Sequence, residues 1–336
     1  MLNIEHRMKN TKMKKILSSD IKNSISVIPI SLLAKSQLII LILSFLLPLS
    51  LRSEGSFSSL EIPYSVRSLS MAAVGVADRN GLDATAVNPA LIRGRAQSLM
   101  LSIIRYPADI QSAFVEWSVP WDNRTVAMSL RRLDYGTFEK RDEDGMKTGQ
   151  FIAGDTWFSA SYARALFPVV DVGATAGLFF SQIENVDAIL ALVTIGTILK
   201  IPKFDAQIGF SIQNFGVSLD SYTKYAESIP LSVNMGFSKK LAHLPLELSI
   251  DGIWWRREDR GVVKIGGEFT LPFNFLLRWG TSTYRLNQTT GSLSRDIITG
   301  TSFGLGYTTG SLTMEVGMHY AGVGGAAIGA GLVTTL

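Results

Sequence analysis

Alternating apolar and polar positions run along the chain from about residue 98 to its end. Residues 172–180 carry Val, Ala, Ala, Leu and Phe at the even positions and Gly, Thr, Gly and Phe at the odd positions, and residues 231–237 and 312–320 alternate in the same way. A period of two residues is typical of β-strands, because successive side chains point to opposite faces of a sheet. The pattern therefore predicts strands with one apolar face.

Turn signals between these stretches divide the region into about 14 predicted strands. An even number is typical of single-chain bacterial barrels. The second face of the strands carries Gly, Thr and acidic residues, which is more polar than the core of a soluble β-sandwich or lipid-binding barrel, the competing interpretation. We therefore predict an all-β fold, a membrane-spanning antiparallel β-barrel of about 14 strands. The predicted strands lie near 98–105, 110–119, 124–136, 154–166, 169–184, 187–200, 204–215, 230–242, 244–256, 260–271, 273–285, 296–308, 310–321 and 323–335.

The predicted connections differ in length between the two ends of the barrel. Longer polar connections at 139–154, 216–229 and 286–294 fall at one end, and short turns such as the one at Pro272 fall at the other. In bacterial barrels the short turns face the periplasm and the longer loops face outward. Aromatic residues near strand ends, among them Trp121, suit the interfacial zones of a bilayer. The predicted location is therefore the outer membrane, in contact with its lipid.

The first 52 residues differ from the rest of the chain. Several lysines precede an apolar run at 38–47, and Pro48 and small residues follow it. A run of about 10 apolar residues has the length of a signal-peptide core and is shorter than the roughly 20 residues of a membrane-spanning helix. An uncleaved anchor is the alternative interpretation. We predict a signal peptide at 1–52 and a mature chain that starts between Leu51 and Phe57.

The segment between the leader and the first predicted strand has no sustained period. It spans 53–97 and contains short apolar patches, with Asp83 as a candidate helix N-cap before Ala-Thr-Ala. The pair Asn88–Pro89 restricts the backbone at the next turn. A compact piece ahead of a barrel is most simply a plug or lid, so we predict that 53–97 occupies the lumen of a barrel formed by 98–336.

Composition excludes several classes of function. The chain has 336 residues, three His and no Cys, which excludes disulfides, thiolate zinc sites and Cys nucleophiles. The formal net charge is +4, but residues 1–52 hold 8 basic and 2 acidic residues, which leaves 24 basic and 26 acidic residues in the body. A basic surface for nucleic acid is therefore absent from the body. No local motif gathers a nucleophile, a base and a group to orient them, so we expect no enzyme activity, cofactor or metal site.

Eight charged residues fall on the predicted lumen face of the strands. In closed barrels such charges usually pair across strands, and we expect these to do so. The alternative is that they line a conduit or hold the plug in place. The residues are Glu116, Arg131, Glu247, Asp251, Lys264, Glu268, Arg278 and Glu315.

Two blocks in the N-terminal segment carry a family resemblance. The first is Tyr64–Gly75, with a Val-Arg pair followed by small residues, and the second is Asp83–Leu91, with the tripeptide Asn-Pro-Ala. Here the chain resembles the PorV/PorQ family, outer-membrane barrels of the type IX secretion system that share their architecture with FadL-type fatty-acid channels. Ala72 and Ala73 stand where that family tends to carry Gly-Gly. The candidate family-motif or plug residues are Arg67, Gly75, Asp83, Asn88, Pro89 and Ala90.

Further stretches are closer to the PorQ branch of that family. They are Tyr135–Asp155, Ile212–Gly216 and Ile229–Leu241. The resemblance implies a non-enzymatic accessory role in protein secretion, in which the barrel docks a cell-surface secretion-system protein. Binding function usually resides in loops on a rigid scaffold. The alternative function is a FadL-like passive channel with a hydrophobic small-molecule ligand. The candidate docking loop contains Lys140, Arg141, Asp142, Glu143, Asp144 and Gly145.

Overall fold

The computed structural model describes residues 57–336 except 82–83, 226, 257 and 288–297. In this part of the chain, 14 strands form a closed barrel in which each strand pairs with its sequence neighbours and the last strand pairs with the first. All pairs are antiparallel. The predicted barrel of about 14 strands is confirmed. The predicted signal peptide at 1–52 and the candidate N-cap Asp83 lie outside the described residues.

Each observed strand overlaps one predicted segment, and the largest difference in the bounds is at the start of β4. The strands are β1 (Ser98–Arg105), β2 (Gln111–Trp121), β3 (Arg124–Arg141), β4 (Lys147–Phe167), β5 (Val170–Ile183), β6 (Val186–Ile201), β7 (Ala206–Asp220), β8 (Ser232–Lys240), β9 (Leu246–Trp255), β10 (Arg260–Thr270), β11 (Phe275–Ser282), β12 (Thr301–Thr309), β13 (Leu312–Tyr320) and β14 (Ala326–Thr335).

Side chains alternate between the outside of the barrel and its lumen. In β13, Met314, Val316 and Met318 are exposed on the outside, whereas Glu315 between them is buried. Large apolar side chains cover the outside of the other strands in the same way, as Phe303 does in β12. The outer surface is therefore apolar, as a bilayer requires, and the register predicted for β13 is correct.

The barrel wall is uneven in height. Strands β3 to β7 have 14 to 21 residues each, and we call them the long-strand wall. The other nine described strands have 8 to 11 residues each, and we call them the short-strand wall. The long-strand wall extends past the short-strand wall at the end where the longer connections lie. At that end β3 pairs with β2 only as far as Asp134, and β4 pairs with β5 only from Ala153 onward, so the rest of the two strands rises above their neighbours.

The connection predicted at 139–154 is a β-hairpin, and the loop prediction there is wrong. β3 runs on to Arg141 and β4 begins at Lys147, so only 142–146 form the turn. A bulge at Tyr135–Gly136 shifts the register between the two strands, and pairing resumes with Thr137 opposite Ile152. Of the candidate docking residues, Lys140 and Arg141 therefore lie in β3, and Asp142, Glu143, Asp144 and Gly145 lie in the turn.

Residues 57–97, apart from 82–83, lie in the lumen and are called the N-terminal segment below. The segment contains helices α1 (Val66–Ser70) and α2 (Ala84–Val87) and short 3-10 turns at Ser58–Leu60 and Pro89–Ile92. Helix α1 contacts β11 to β14 and β1, and the turn at Pro89–Ile92 contacts β3 to β6. None of the helices in the described part of the chain has both the length and the apolar composition needed to cross a bilayer.

Candidate functional site

A buried ionic network joins the N-terminal segment to the short-strand wall. Arg67, which is 2% exposed, donates from Nε to Asp78 Oδ2 at 2.8 Å and from Nη1 to Glu268. Arg278 on β11 bonds the same Glu268 at 2.7 Å and lies 2.6 Å from Glu315 on β13. The candidate residue Arg67 is thus held between two acids, one in its own segment and one in the barrel.

Gly75 is held by a second buried acid of the short-strand wall. The backbone N–H groups of Gly75 and Val76 donate to Asp251 Oδ2 at 2.7 and 2.9 Å. The turn before Gly75 places Ala72 at φ 54° and Ala73 at φ 60°, the left-handed region that L-residues other than Asn and Asp rarely adopt. The positions at which the resembled family carries Gly-Gly therefore have the backbone conformation that glycine favours.

Asn88, Pro89 and Ala90 form an anchored turn against the long-strand wall. Asn88 is fully buried, and its Oδ1 accepts from the Ala90 N–H at 3.2 Å as an N-cap. Its Nδ2 donates to the Val76 carbonyl at 2.7 Å and to the Thr197 carbonyl of β6 at 3.2 Å. A Cβ at Gly196 would lie 1.9 Å from Asn88 Oδ1, so a glycine is required there for this close approach.

The eight lumen charges bond mainly to the N-terminal segment. The expected pairing across strands is correct for Glu268 and Arg278, which lie opposite each other on β10 and β11. Glu315 on β13 also pairs across strands, with Arg278 on β11. For the other five charges the alternative interpretation fits better, since each has a partner in the N-terminal segment. Glu116 accepts from Thr85 Oγ1, Arg131 donates to the Ser59 carbonyl, Glu247 accepts from Asn80 and Ser238, Asp251 accepts from Gly75 and Val76, and Lys264 donates to the Ala73 carbonyl.

A cavity of about 480 Å³ opens at the end of the barrel where the long-strand wall extends furthest. This volume lies within the range of small-molecule binding sites. Local patterns could not predict this cavity, because its lining comes from five separate stretches of the chain. Its lining residues are Phe57, Ser58, Tyr135, Phe138, Phe151, Ala153, Asp155, Ser181, Ile183 and Tyr222.

Aromatic rings form the walls of this cavity. Phe138 and Phe151 stack with centroids 5.4 Å apart and planes 22° apart. The bulge at Tyr135–Gly136 makes this possible, because one extra residue in β3 moves Phe138 onto the lumen side, opposite Phe151. On the other side, the Phe57 ring lies 5.9 Å from that of Tyr222. Gly136, at φ 83°, lies at the end of the predicted strand 124–136 and is the sequence signal from which a bulge could have been predicted.

Polar groups meet at the floor of the cavity. Asp155, which is 4% exposed, accepts from Tyr135 Oη at 2.8 Å and from Ser181 Oγ. Tyr222 Oη donates in turn to Ser181 Oγ. Burial raises the pKa of Tyr222 above its usual value, so its hydroxyl keeps the proton that it donates. The floor is one connected set of hydrogen bonds that ends on a carboxylate.

Residues 57–64 separate this cavity from the deeper lumen. Two smaller voids of about 40 and 10 Å³ lie on their inner side, and Leu60 and Tyr64 line both. The guanidinium of Arg131 stacks 4.0 Å from the Tyr64 ring centroid. Glu61 accepts from Arg260 Nη2 at 2.7 Å, and burial raises the pKa of Glu61 while the arginine opposes that shift.

The lining of the cavity is suited to binding a small molecule. Within the described ranges, no group of three or more His, Asp or Glu side chains could hold a metal ion. The cavity combines stacked rings with a few hydrogen-bonding groups, which is the usual composition of a small-molecule site.

Solved structures of hydrocarbon transporters share this fold. The toluene transporter TbuX of Ralstonia pickettii has a TM-score of 0.55 at 13% identity, over 81% of this chain and 98% of that chain. The toluene transporter TodX of Pseudomonas putida has a TM-score of 0.53 at 11% identity, over 80% and 97%. The monoaromatic hydrocarbon channel CymD has a TM-score of 0.54 at 9% identity, over 81% and 97%. At these identities the likeness shows a shared barrel fold. No protein-family model and no curated protein sequence matches the chain.

Proposed function

We propose that the protein is a passive outer-membrane channel for small hydrophobic molecules and that the aromatic cavity is its entry site. The cavity is the observation that carries this proposal. It opens beside the rim of the barrel, its walls are aromatic, and its volume of about 480 Å³ suits a small organic ligand. Proteins of the same fold are described as toluene and monoaromatic hydrocarbon channels.

The outer surface supports a location in a membrane. The exposed side chains of the strands are mostly large and apolar, as Val316 and Phe303 are, while charged side chains such as Glu315 point inward. A closed barrel also leaves no unpaired strand edge to face lipid. Both features are those of a barrel that spans a bilayer.

Passage through the barrel requires a shift of residues 57–64. These residues lie between the cavity and the two smaller voids, and Phe57 packs against Phe179 with ring centroids 5.5 Å apart. The burial of apolar surface is non-directional, so the surface that Phe57 buries against Phe179 can be exchanged for contacts with a ligand. A hydrophobic molecule in the cavity would thereby compensate for the contacts that Phe57 gives up.

The experiment measures uptake of radiolabelled toluene by Gram-negative cells that express the protein and lack other hydrocarbon channels. Ala153→Trp fills the cavity and should reduce uptake to the level of cells without the protein. The matched control is Ala176→Trp, which places the same side chain on the exposed face of the neighbouring strand. The proposal is wrong if the wild type gives no uptake above background, or if the two folded variants transport equally.

A docking role in secretion is the second candidate, and the β3–β4 hairpin is the observation that favours it. Its outer part, beyond Tyr135 and Ile152, extends past the strands on either side and carries a charged tip. Unpaired strand edges are ready sites for pairing with another chain. Membership of the PorV/PorQ family and a secretion-system partner remain predictions from the resemblance.

Shortening Lys140–Lys147 to Asn-Gly tests this second candidate. A two-residue turn of that type closes a hairpin well, so the barrel should stay folded and heat-modifiable. Docking predicts loss of a surface protein from crosslinked pull-downs and lower delivery of secreted cargo. If the shortened variant recovers the surface protein and delivers cargo at wild-type levels, the hairpin is not the docking site.

A further inference from the structure

The hydrogen bonds at the floor of the cavity all run in one direction. Tyr222 donates to Ser181, Ser181 donates to Asp155, and Tyr135 donates to the other oxygen of Asp155. A hydroxyl has a single proton to donate. Each of the three hydroxyl protons is therefore already used inside the floor, and none is available for a ligand.

The floor nevertheless keeps acceptor capacity. An ionised carboxylate has about four lone-pair positions, and the two hydroxyls occupy two of those on Asp155. The phenolic oxygens of Tyr135 and Tyr222 also keep lone pairs. Among the described residues no basic side chain forms an ion pair with Asp155. The cavity thus presents acceptors and negative charge at its floor, below aromatic walls.

We propose, building on the channel function above, that the cavity selects small aromatic molecules that carry a hydrogen-bond donor, such as phenols and aromatic amines, over aromatic carboxylates. The ring of such a molecule would pack against Phe138, Phe151 and Phe57. Its O–H or N–H would point to Asp155 and form a charge-assisted hydrogen bond, which is stronger than a neutral one. An aromatic carboxylate would bring a second negative charge to the same floor, where the three hydroxyl protons are already used.

A matched ligand series tests this selectivity directly. Purified protein in lipid nanodiscs is titrated with p-cresol, toluene and benzoate, and binding is followed by ligand-observed NMR, with empty nanodiscs as the blank. We expect p-cresol to bind about tenfold more tightly than toluene, the factor for one hydrogen bond to a charged acceptor. Benzoate should bind more weakly than toluene.

Variants identify the group that is responsible. Asp155→Asn removes the charge with little change in shape and should bring the affinity for p-cresol close to that for toluene. Tyr135→Phe keeps the carboxylate and should keep the preference. The matched control is Asp171→Asn, which neutralises a buried lumen carboxylate at the opposite end of β5, where Lys200 pairs with it. That control should bind all three ligands as the wild type does.

The outcomes separate this inference from the proposed function. If toluene and p-cresol bind with equal affinity, or if folded Asp155→Asn keeps the preference, the selectivity is wrong although the channel function stands. Tighter binding of benzoate than of toluene would also overturn it. If toluene uptake and the binding of every ligand are absent in the wild type, the channel function itself fails.

Discussion

The two walls of the barrel hold the N-terminal segment in different ways. Against the short-strand wall the segment is fixed by buried charges, with Arg67 bonded to Glu268 and Asp251 bonded to the backbone at Gly75. Against the long-strand wall it is held by the Asn88 turn, by the Phe57 ring and by the charged side chain of Arg131, which donates to the Ser59 carbonyl. The aromatic cavity lies on this second side.

This difference explains where the segment can move. Charge-assisted hydrogen bonds depend on direction, and a buried charge that loses its partner is costly. Ring contacts tolerate sliding, because apolar burial has no preferred direction. The Phe57 ring can therefore give way to a ligand at the cavity, whereas movement of the whole stretch 57–64 also requires the bonds of Ser59 to Arg131 and of Glu61 to Arg260 to break.

The largest expected effect comes from breaking the anchor to the short-strand wall. Arg67→Ala leaves Asp78 and Glu268 buried with less compensation and should lower the free energy of unfolding by about 3–5 kcal/mol. The control is Arg105→Ala, which removes an exposed pair with Asp109 and should cost about 0–1 kcal/mol. Denaturant unfolding of both refolded variants measures this, and equal losses would contradict the anchoring role.

A charge on the outer face of the short-strand wall should have the next largest effect. Val316 is the central residue of β13 and is exposed on the outside. Val316→Arg places a charge in lipid and should cost about 2–4 kcal/mol in folding into bilayers. Thr313→Arg on the inner face of the same strand should cost less. Similar losses for both variants would mean that this face does not contact lipid.

On the long-strand wall, Gly136→Ala disturbs the bulge that shapes the cavity. Gly136 has φ 83°, so an alanine there is strained by about 1–2 kcal/mol. Relief of the strain would move Phe138 away from Phe151, and toluene uptake should fall. Gly149→Ala in the partner strand has open space around its Cβ and an ordinary φ, so it should leave uptake unchanged. Unchanged toluene uptake in Gly136→Ala would show that the bulge is not required for transport.

The smallest expected effect is a gain of stability. Ala73 has φ 60°, which costs an L-residue about 1–2 kcal/mol, and glycine removes that cost at some expense in chain entropy. Ala73→Gly should therefore raise the free energy of unfolding by about 0.5–1 kcal/mol. Ala77→Gly, at a buried position without positive φ, should lower it instead. A stability loss in Ala73→Gly would show that its methyl contacts matter more than the backbone.

The sequence by itself determined the strands, their faces and the inward position of the charges. Those features depend on neighbours in the chain, since a period of two residues assigns each side chain to one face whatever the strand pairs with. The lipid-facing Val316 and the lumen-facing Glu315 were predictable for that reason. The signal for the bulge was also local, because Gly136 lies in it. The effect of the bulge on the position of Phe138 depends on the pairing with β4 and could not be predicted from the sequence.

Only the tertiary structure decided which groups meet. Arg67 and Glu268 are separated by 201 positions, and Gly75 and Asp251 by 176, so local patterns carry no information about these pairs. The cavity likewise brings Phe57 of the segment to Tyr135, Ser181 and Tyr222, which lie on or beside three different strands. Closure of the barrel and the path of the segment through its lumen place these groups together, and both depend on long-range packing.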